Sequence, residues 1–233
     1  MPKKENKTTI RKLLFTLVYI LFFPALLLFV SGNWLWVEGL IFSIWFIALC
    51  FTVIIYLYIK APDLLAERYK QPGSKGQKKW DVFVVFLLVV GFTGWIFIMP
   101  LDAERFKWTA SFPLWAKIVG GLFLLSSGFL FFRAYFDNPY LSGLVRIQDE
   151  REQRVITTGV YSFVRHPMYL GATILFTGAP MLMGSLFGLI IGISLVVLIA
   201  ARSVGEEKML IEGLEGYAVY KKKVRYRIIP FIW

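Results

Sequence analysis

The sequence predicts an all-α integral membrane protein with five to six transmembrane helices, organised as a single membrane domain over residues 1–233. Three observations predict it. Of the 233 residues, 58% are hydrophobic and 18% charged, where a soluble domain carries roughly 25% charged residues. The apolar residues gather in runs close to the ~20 that cross a hydrocarbon layer, longer than the ~14 of a buried core helix. Finally, the basic residues alternate between successive connections, as topology-setting charges do.

Taken in order, the first span runs from Leu13 to Val30, and Ser31-Gly32-Asn33 leads to a second, Trp34 to Ile59, which opens on Trp34 and Trp36 as interfacial aromatics. A polar stretch, Lys60 to Asp81, holds Pro72, Gly73 and Gly76. The third span covers Val82 to Pro100; the mixed-charge segment Leu101 to Pro113 precedes a fourth, Leu114 to Phe136. After a polar connector, Asp137 to Pro167, the run Met168 to Ala201 is uncharged and too long for one crossing. Pro180 and Gly184-Ser185 near its middle predict two helices folded as a hairpin, each arm short for a full crossing. The charged tail, Arg202 to Trp233, predicts an interfacial helix at its start.

Charge fixes the orientation. Lys3, Lys4, Lys7, Arg11 and Lys12 precede the first span, six basic residues follow the second, Arg146, Arg151, Arg154 and Arg165 follow the fourth, and Lys221, Lys222, Lys223, Arg225 and Arg227 lie in the tail. The alternate connections hold none, Arg105 with Lys107, and none. Both termini are therefore predicted to be cytoplasmic. The net charge of +11 is explained by this pattern, so no nucleic-acid partner is expected. One cysteine, Cys50, and one histidine, His166, exclude a disulfide framework and a His/Cys metal centre, so no metal is expected. The basic N-terminus lacks a small-residue cleavage site after its apolar run, which predicts an anchor and not a removed signal.

Unusual residues gather at three places in the last third. Gly159-Val160-Tyr161 through Arg165-His166-Pro167-Met168-Tyr169 lies where the connector enters the hairpin. It suits either an interfacial anchor with Pro167 opening a helix or a ligand-facing turn. Arg202 and Glu206, four apart near the end of the last apolar run, suit either an intrahelical ion pair or a polar pocket at the membrane edge. Gly216-Tyr217 to Tyr220, followed by Lys221 to Arg227 and Pro230, suits an amphipathic tail near lipid headgroups.

These groups occur together and in this order in the isoprenylcysteine carboxyl methyltransferase family, which the chain resembles from about Lys60 to Trp233. Leu64-Leu65-Ala66-Glu67-Arg68-Tyr69, Lys79-Trp80-Asp81, Leu101-Asp102-Ala103-Glu104-Arg105-Phe106 and Val145-Arg146-Ile147-Gln148 resemble its bacterial branch. The resemblance implies a membrane-embedded enzyme, in a bacterial cytoplasmic membrane, with a cytoplasmic cleft for S-adenosylmethionine. It implies that residues 1–136 are scaffold spans and that 137–233 carry the chemistry. Gln153, Arg154, Val155, Ile156, Tyr161, His166, Pro167, Met168, Tyr169 and Glu206 would surround the cofactor, and Arg202 would face the substrate, with Arg202 and Glu206 the catalytic pair. Where eukaryotic relatives have a cofactor-contacting glutamine, this chain offers Arg146 or Gln148.

The residue types fit that chemistry. Glu206 can accept from the cofactor's ammonium or ribose hydroxyls, and the tyrosines, His166 and Arg154 can meet its polar and anionic groups. An acceptor carboxylate is already ionised at neutral pH, so the enzyme's task is alignment, and Arg202 would hold the carboxylate through a bidentate fork. The acceptor is expected to be lipidic or prenylated and drawn from the membrane; prenylated protein C-termini, phospholipid amines and small thiols are all open. The runner-up is an NADPH-dependent sterol-reductase-like enzyme, which shares an Arg-His-Pro-x-Tyr segment. A transporter is disfavoured because Glu38 and Arg133 lie near span ends and no ionisable path crosses the spans.

Overall fold

The computed structural model describes residues 3–74 and 76–233. Lys75 and the side chains of Lys3, Lys4 and Lys7, counted above for orientation, lie outside the described residues. The fold is all-α. Helices α1 (Lys3–Ser31), α2 (Val37–Lys60), α3 (Pro62–Arg68), α4 (Lys79–Pro100), α5 (Leu114–Asp137), α6 (Pro167–Met183), α7 (Leu186–Gly213) and α8 (Tyr217–Lys223) follow one another, with a π-helical turn extending α4 over Leu101–Arg105. Five of them are long and apolar enough to cross a membrane, and α6, with 17 residues, is the short sixth.

The hairpin breaks where the sequence predicts. Gly184 adopts a positive φ of 78°, its N–H bonds back to the Pro180 carbonyl at 2.9 Å, and the Ser185 hydroxyl caps α7 by accepting from the Gly188 N–H. The arms, however, are unequal. The second does not stop at Ala201 but continues for 28 residues to Gly213, so it is long enough to cross, and Arg202 to Leu210 belong to a spanning helix instead of a separate interfacial one. Charge ends an apolar run without ending a helix, because Glu, Lys, Met and Leu are all good helix formers.

With no hydrophobic drive between helices in lipid, close approach has to come from small residues. A Cβ on Gly120 of α5 would collide with the α6 backbone at Leu182, and one on Gly192 of α7 would strike the Phe176 carbonyl of α6. Around these contacts lies a core of Leu27, Phe42, Met99, Leu124 and Leu195, with Trp95 edge-on to Phe176 at 5.3 Å.

Helices α4 and α7 are antiparallel and pinned at both ends. At one end Asp102, fully buried, accepts from the Ser185 hydroxyl at 2.7 Å and the Phe187 N–H at 3.2 Å. At the other end Asp81, also fully buried, faces Arg202. That second end holds the site.

Candidate functional site

A cavity of about 280 Å³ opens at the Asp81 end, between the connector, the start of α6, the last turns of α7 and α8. Its size lies near the lower edge of small-molecule sites, ~300–1,000 Å³. Gln153, Arg154, Val155, Ile156, Tyr161, His166, Pro167, Met168, Tyr169, Arg202 and Glu206 all line it. Residues as far apart in the chain as Gln153 and Glu206 thus share one wall system, with His166 and Glu206 on the same cavity.

Local chemistry explains how each wall is held. Gly159 opens the entry turn with φ 60°, and a Cβ there would run into the Asp137 carboxylate. That carboxylate ends α5, pairs with Arg133 at 2.8 Å and accepts from the Val160 N–H at 2.8 Å, so glycine is required twice over. Past the turn, the N–H groups of Arg165 and His166 donate to the carbonyls of Tyr226 and Arg227 at 3.0 and 2.9 Å, stitching the tail to the entry segment. Pro167 then takes the first position of α6, where no N–H is needed.

Glu206 and Glu207 show what ~100° of helical rotation does to neighbouring residues. Glu207 points away from the cavity and is buried between two guanidinium groups and an imidazole: Arg165 Nε at 2.6 Å, Arg227 Nη2 at 3.0 Å and His166 Nε2 at 3.3 Å. It anchors the tail and the entry turn. Glu206 points into the cavity, where one oxygen accepts from the Tyr169 hydroxyl at 2.6 Å and the other has no partner among the described residues. The Tyr169 ring in turn stacks on His166, with centroids 5.2 Å apart and planes within 5°.

Arg202 is buried and its fork is already engaged. Nε and Nη2 donate to the two Asp81 oxygens at 2.7 and 3.2 Å, Nη2 also donates to the Gly143 carbonyl at 2.8 Å, and Nη1 donates to the Tyr169 hydroxyl at 3.0 Å. Of the five N–H groups of a guanidinium, one remains. A bidentate grip on a second carboxylate would require leaving Asp81, and that carboxylate is also held by Gln77 at 2.7 Å and the Val145 N–H at 2.9 Å.

The connector is fixed by a second ion cluster. Arg146 donates to both oxygens of Glu67 on α3 at 2.9 and 2.7 Å and to Glu150 at 2.6 Å. Burial pushes the Glu67 carboxyl upward, but bonds from Arg146, Lys70 and Ser142 overcome this and hold it down at about 2. Gln148, fully buried, donates to the Tyr140 carbonyl, and its N–H meets the Gln153 side chain at 2.9 Å. Arg146 and Gln148 therefore both line the cavity while being committed to its walls. Arg154 stands at the rim, its side chain 80% exposed.

Two lining groups stand out that sequence reasoning did not assign. The Arg68 Nη1 and the Tyr217 hydroxyl are buried with no hydrogen-bond partner among the described residues. Burial, together with the nearby charges of Glu207 and Glu206, pushes the Tyr217 phenol upward, so it remains a donor. Burial likewise raises Tyr161 and Tyr220. The one trace of Arg68 and Tyr217 in the sequence is that Arg68 lies in Leu64–Tyr69 and Tyr217 in Gly216-Tyr217, segments that resemble the methyltransferase family. Once Arg146, Arg165 and Arg202 are matched by Glu67, Glu207 and Asp81, the cavity is left with Glu206 as its acid, Arg68 without an ion pair among the described residues, and Arg154 at the rim, held only by the exposed Glu152 at 4.0 Å. That remainder complements a zwitterion.

Residues 115–215 match the family described as phospholipid methyltransferase. The chain is a methyltransferase. The matched stretch runs from α5 through the connector and hairpin to just past α7, and so takes in most of the cavity wall. No curated protein matches the chain. Methyltransferases of this class draw their methyl group from S-adenosylmethionine, and the donor set fits such a group: an unpaired carboxylate oxygen, unsatisfied buried donors, and aromatic faces at His166 and Tyr169.

Proposed function

We propose that the cavity binds S-adenosylmethionine and that the enzyme methylates a lipidic acceptor entering from the membrane, with both termini on the cytoplasmic side. The observation carrying this is Glu206: the one acid among the described residues that line the cavity, with one oxygen unpartnered, while the lining arginines Arg146, Arg165 and Arg202 are matched by acids behind the wall. In this reading Glu206 receives the cofactor's ammonium, Arg68 and Arg154 face its carboxylate, and His166 and Tyr169 supply stacked faces. Gln153, Val155, Ile156, Tyr161, Pro167 and Met168 shape the remaining wall.

Bound S-adenosylmethionine supplies an electrophilic methyl carbon on a sulfonium centre. What the chain supplies is orientation, which contributes up to ~7–11 kcal/mol in favourable cases. Arg202 acts through Tyr169, fixing the hydroxyl that fixes Glu206, and offers one free N–H toward the acceptor. With the fork held by Asp81, the site is poorly arranged to clamp a prenylcysteine carboxylate. The family match and this geometry together favour a phospholipid acceptor.

The test is purified enzyme with methyl-labelled S-adenosylmethionine, offered phosphatidylethanolamine vesicles, prenylcysteine analogues or small thiols. Label in the phospholipid fraction is expected; label confined to prenylcysteine would reverse the acceptor assignment. A parallel thermal-shift comparison is expected to show stabilisation by S-adenosylhomocysteine and none by NADPH.

A further inference from the structure

Behind Glu207, on the face of α7 turned away from the cavity, lies a second recess of about 290 Å³, bordered by Val204, Lys208, Ile211, Lys221 and Arg227. Val204, Lys208 and Ile211 are four and three residues apart, so they share one helical face. The same face continues upward through the exposed residues Ile190, Ile193 and Val197, an apolar stripe of the kind that meets acyl chains. Lys208 interrupts that stripe at an informative depth. The 28 residues of α7 span ~42 Å, whereas ~20 residues cross the hydrocarbon core, so positions beyond about Gly205 reach headgroup level.

Charge and hydrogen bonding point to an anion there. Glu207 already has Arg165 at 2.6 Å, yet Arg227 stands at 3.0 Å and Lys221 at 3.7 Å from its other oxygen. The recess is lined by the cations Lys208, Lys221 and Arg227 and by the acids Glu207 and Glu212, and because Glu207 also carries Arg165 the cations are in excess. The Arg227 Nε is buried with no acceptor among the described residues, and leaving such a donor unpaired is costly. Next to it, Phe231 and Ile232 of the tail are almost fully exposed beside a basic segment, the signature of a chain lying on a membrane surface.

We propose that this recess is a binding site for the phosphate of an anionic membrane phospholipid, held by Lys208, Lys221 and Arg227, with the acyl chains along the Ile190–Val204 stripe. The site is separate from the methyl-transfer cavity and does not depend on the acceptor's identity.

The test uses the full chain in phosphatidylcholine nanodiscs, titrated with phosphatidylglycerol and read by native mass spectrometry. Wild type is expected to retain phosphatidylglycerol, and the double variant Lys208→Gln, Lys221→Gln to lose affinity by about tenfold or more. The matched double variant Lys222→Gln, Lys223→Gln removes the same charge outside the recess and is expected to retain affinity within about twofold. Equal losses in the two variants would reduce the effect to general surface charge and overturn the site, as would no loss in either. Displacement of the lipid by millimolar inorganic phosphate would overturn the lipid as its ligand.

Discussion

The two ends of the α4–α7 pair are built from the same residue type and do different work. Asp102 and Asp81 are both fully buried, and each fastens α4 to α7. At the Asp102 end every donor is neutral: the Thr109 N–H and hydroxyl, the Ser185 hydroxyl and the Phe187 N–H. The result is a closed helix cap. At the Asp81 end the partner is a guanidinium, and its remaining donors run on to Tyr169 and from there to Glu206 in the cavity. A neutral clamp only holds; a charged clamp with spare donors holds and also positions.

The sharpest way to break this contrast is to neutralise each aspartate. Asp81→Asn leaves Arg202 buried without its counter-charge, so a loss of ~3–5 kcal/mol is expected, together with loss of methyl transfer in whatever remains folded. Asp102→Asn is expected to cost ~1–3 kcal/mol while leaving turnover per folded molecule nearly intact. Denaturant unfolding and active-site-normalised kcat separate the two outcomes, and equal damage to kcat at both ends would erase the distinction.

Next in size is the split between the adjacent glutamates. Glu207→Ala strips the acid from a buried cluster of cations and should destabilise by ~3–5 kcal/mol. Glu206→Ala should leave the melting temperature within a few degrees, yet weaken S-adenosylhomocysteine by ~10–100-fold, the worth of one charge-assisted bond. Calorimetry in detergent checks both. Arg202→Lys keeps the charge but loses the fork to Asp81 and the reach to Tyr169; kcat should fall by ~10²-fold with cofactor affinity changed only a few-fold.

The smallest effect concerns Glu67, whose clamp on Arg146 lies outside the membrane spans. Its folded carboxyl sits at about 2 against an ordinary 4.5, so the stabilisation is full above about pH 4.5 and is lost as pH falls toward 2. The stability difference between wild type and Glu67→Gln should therefore be flat from neutral pH to about pH 5 and shrink below it. A difference that grows on acidification would contradict the assigned direction.

How much of this was legible in the sequence depended on range. Span positions and the hairpin break at Gly184-Ser185 follow from run lengths and local turn chemistry, which are short-range signals, whereas the convergence of the connector with α7 is implied only by the family resemblance. The end of α7 was misjudged because run counting stops at the first charge, Arg202, although the helix does not. The Arg202–Asp81 pair joins residues 121 apart and needs the antiparallel register of α4 and α7, which no local pattern encodes. Its one trace was an acid in the first turn of an apolar span. Likewise, the Glu206-Glu207 pair announced two acids, but only the packing of the tail decides which faces the cavity.

The most direct measurement is the structure of the enzyme with S-adenosylhomocysteine bound. The ligand is predicted to occupy the cavity between the connector and α7, within contact of His166 and hydrogen-bonded through its amino-acid ammonium to Glu206, with Arg202 still paired to Asp81. Density for the ligand elsewhere, or in the cavity with Glu206 untouched, would contradict the account.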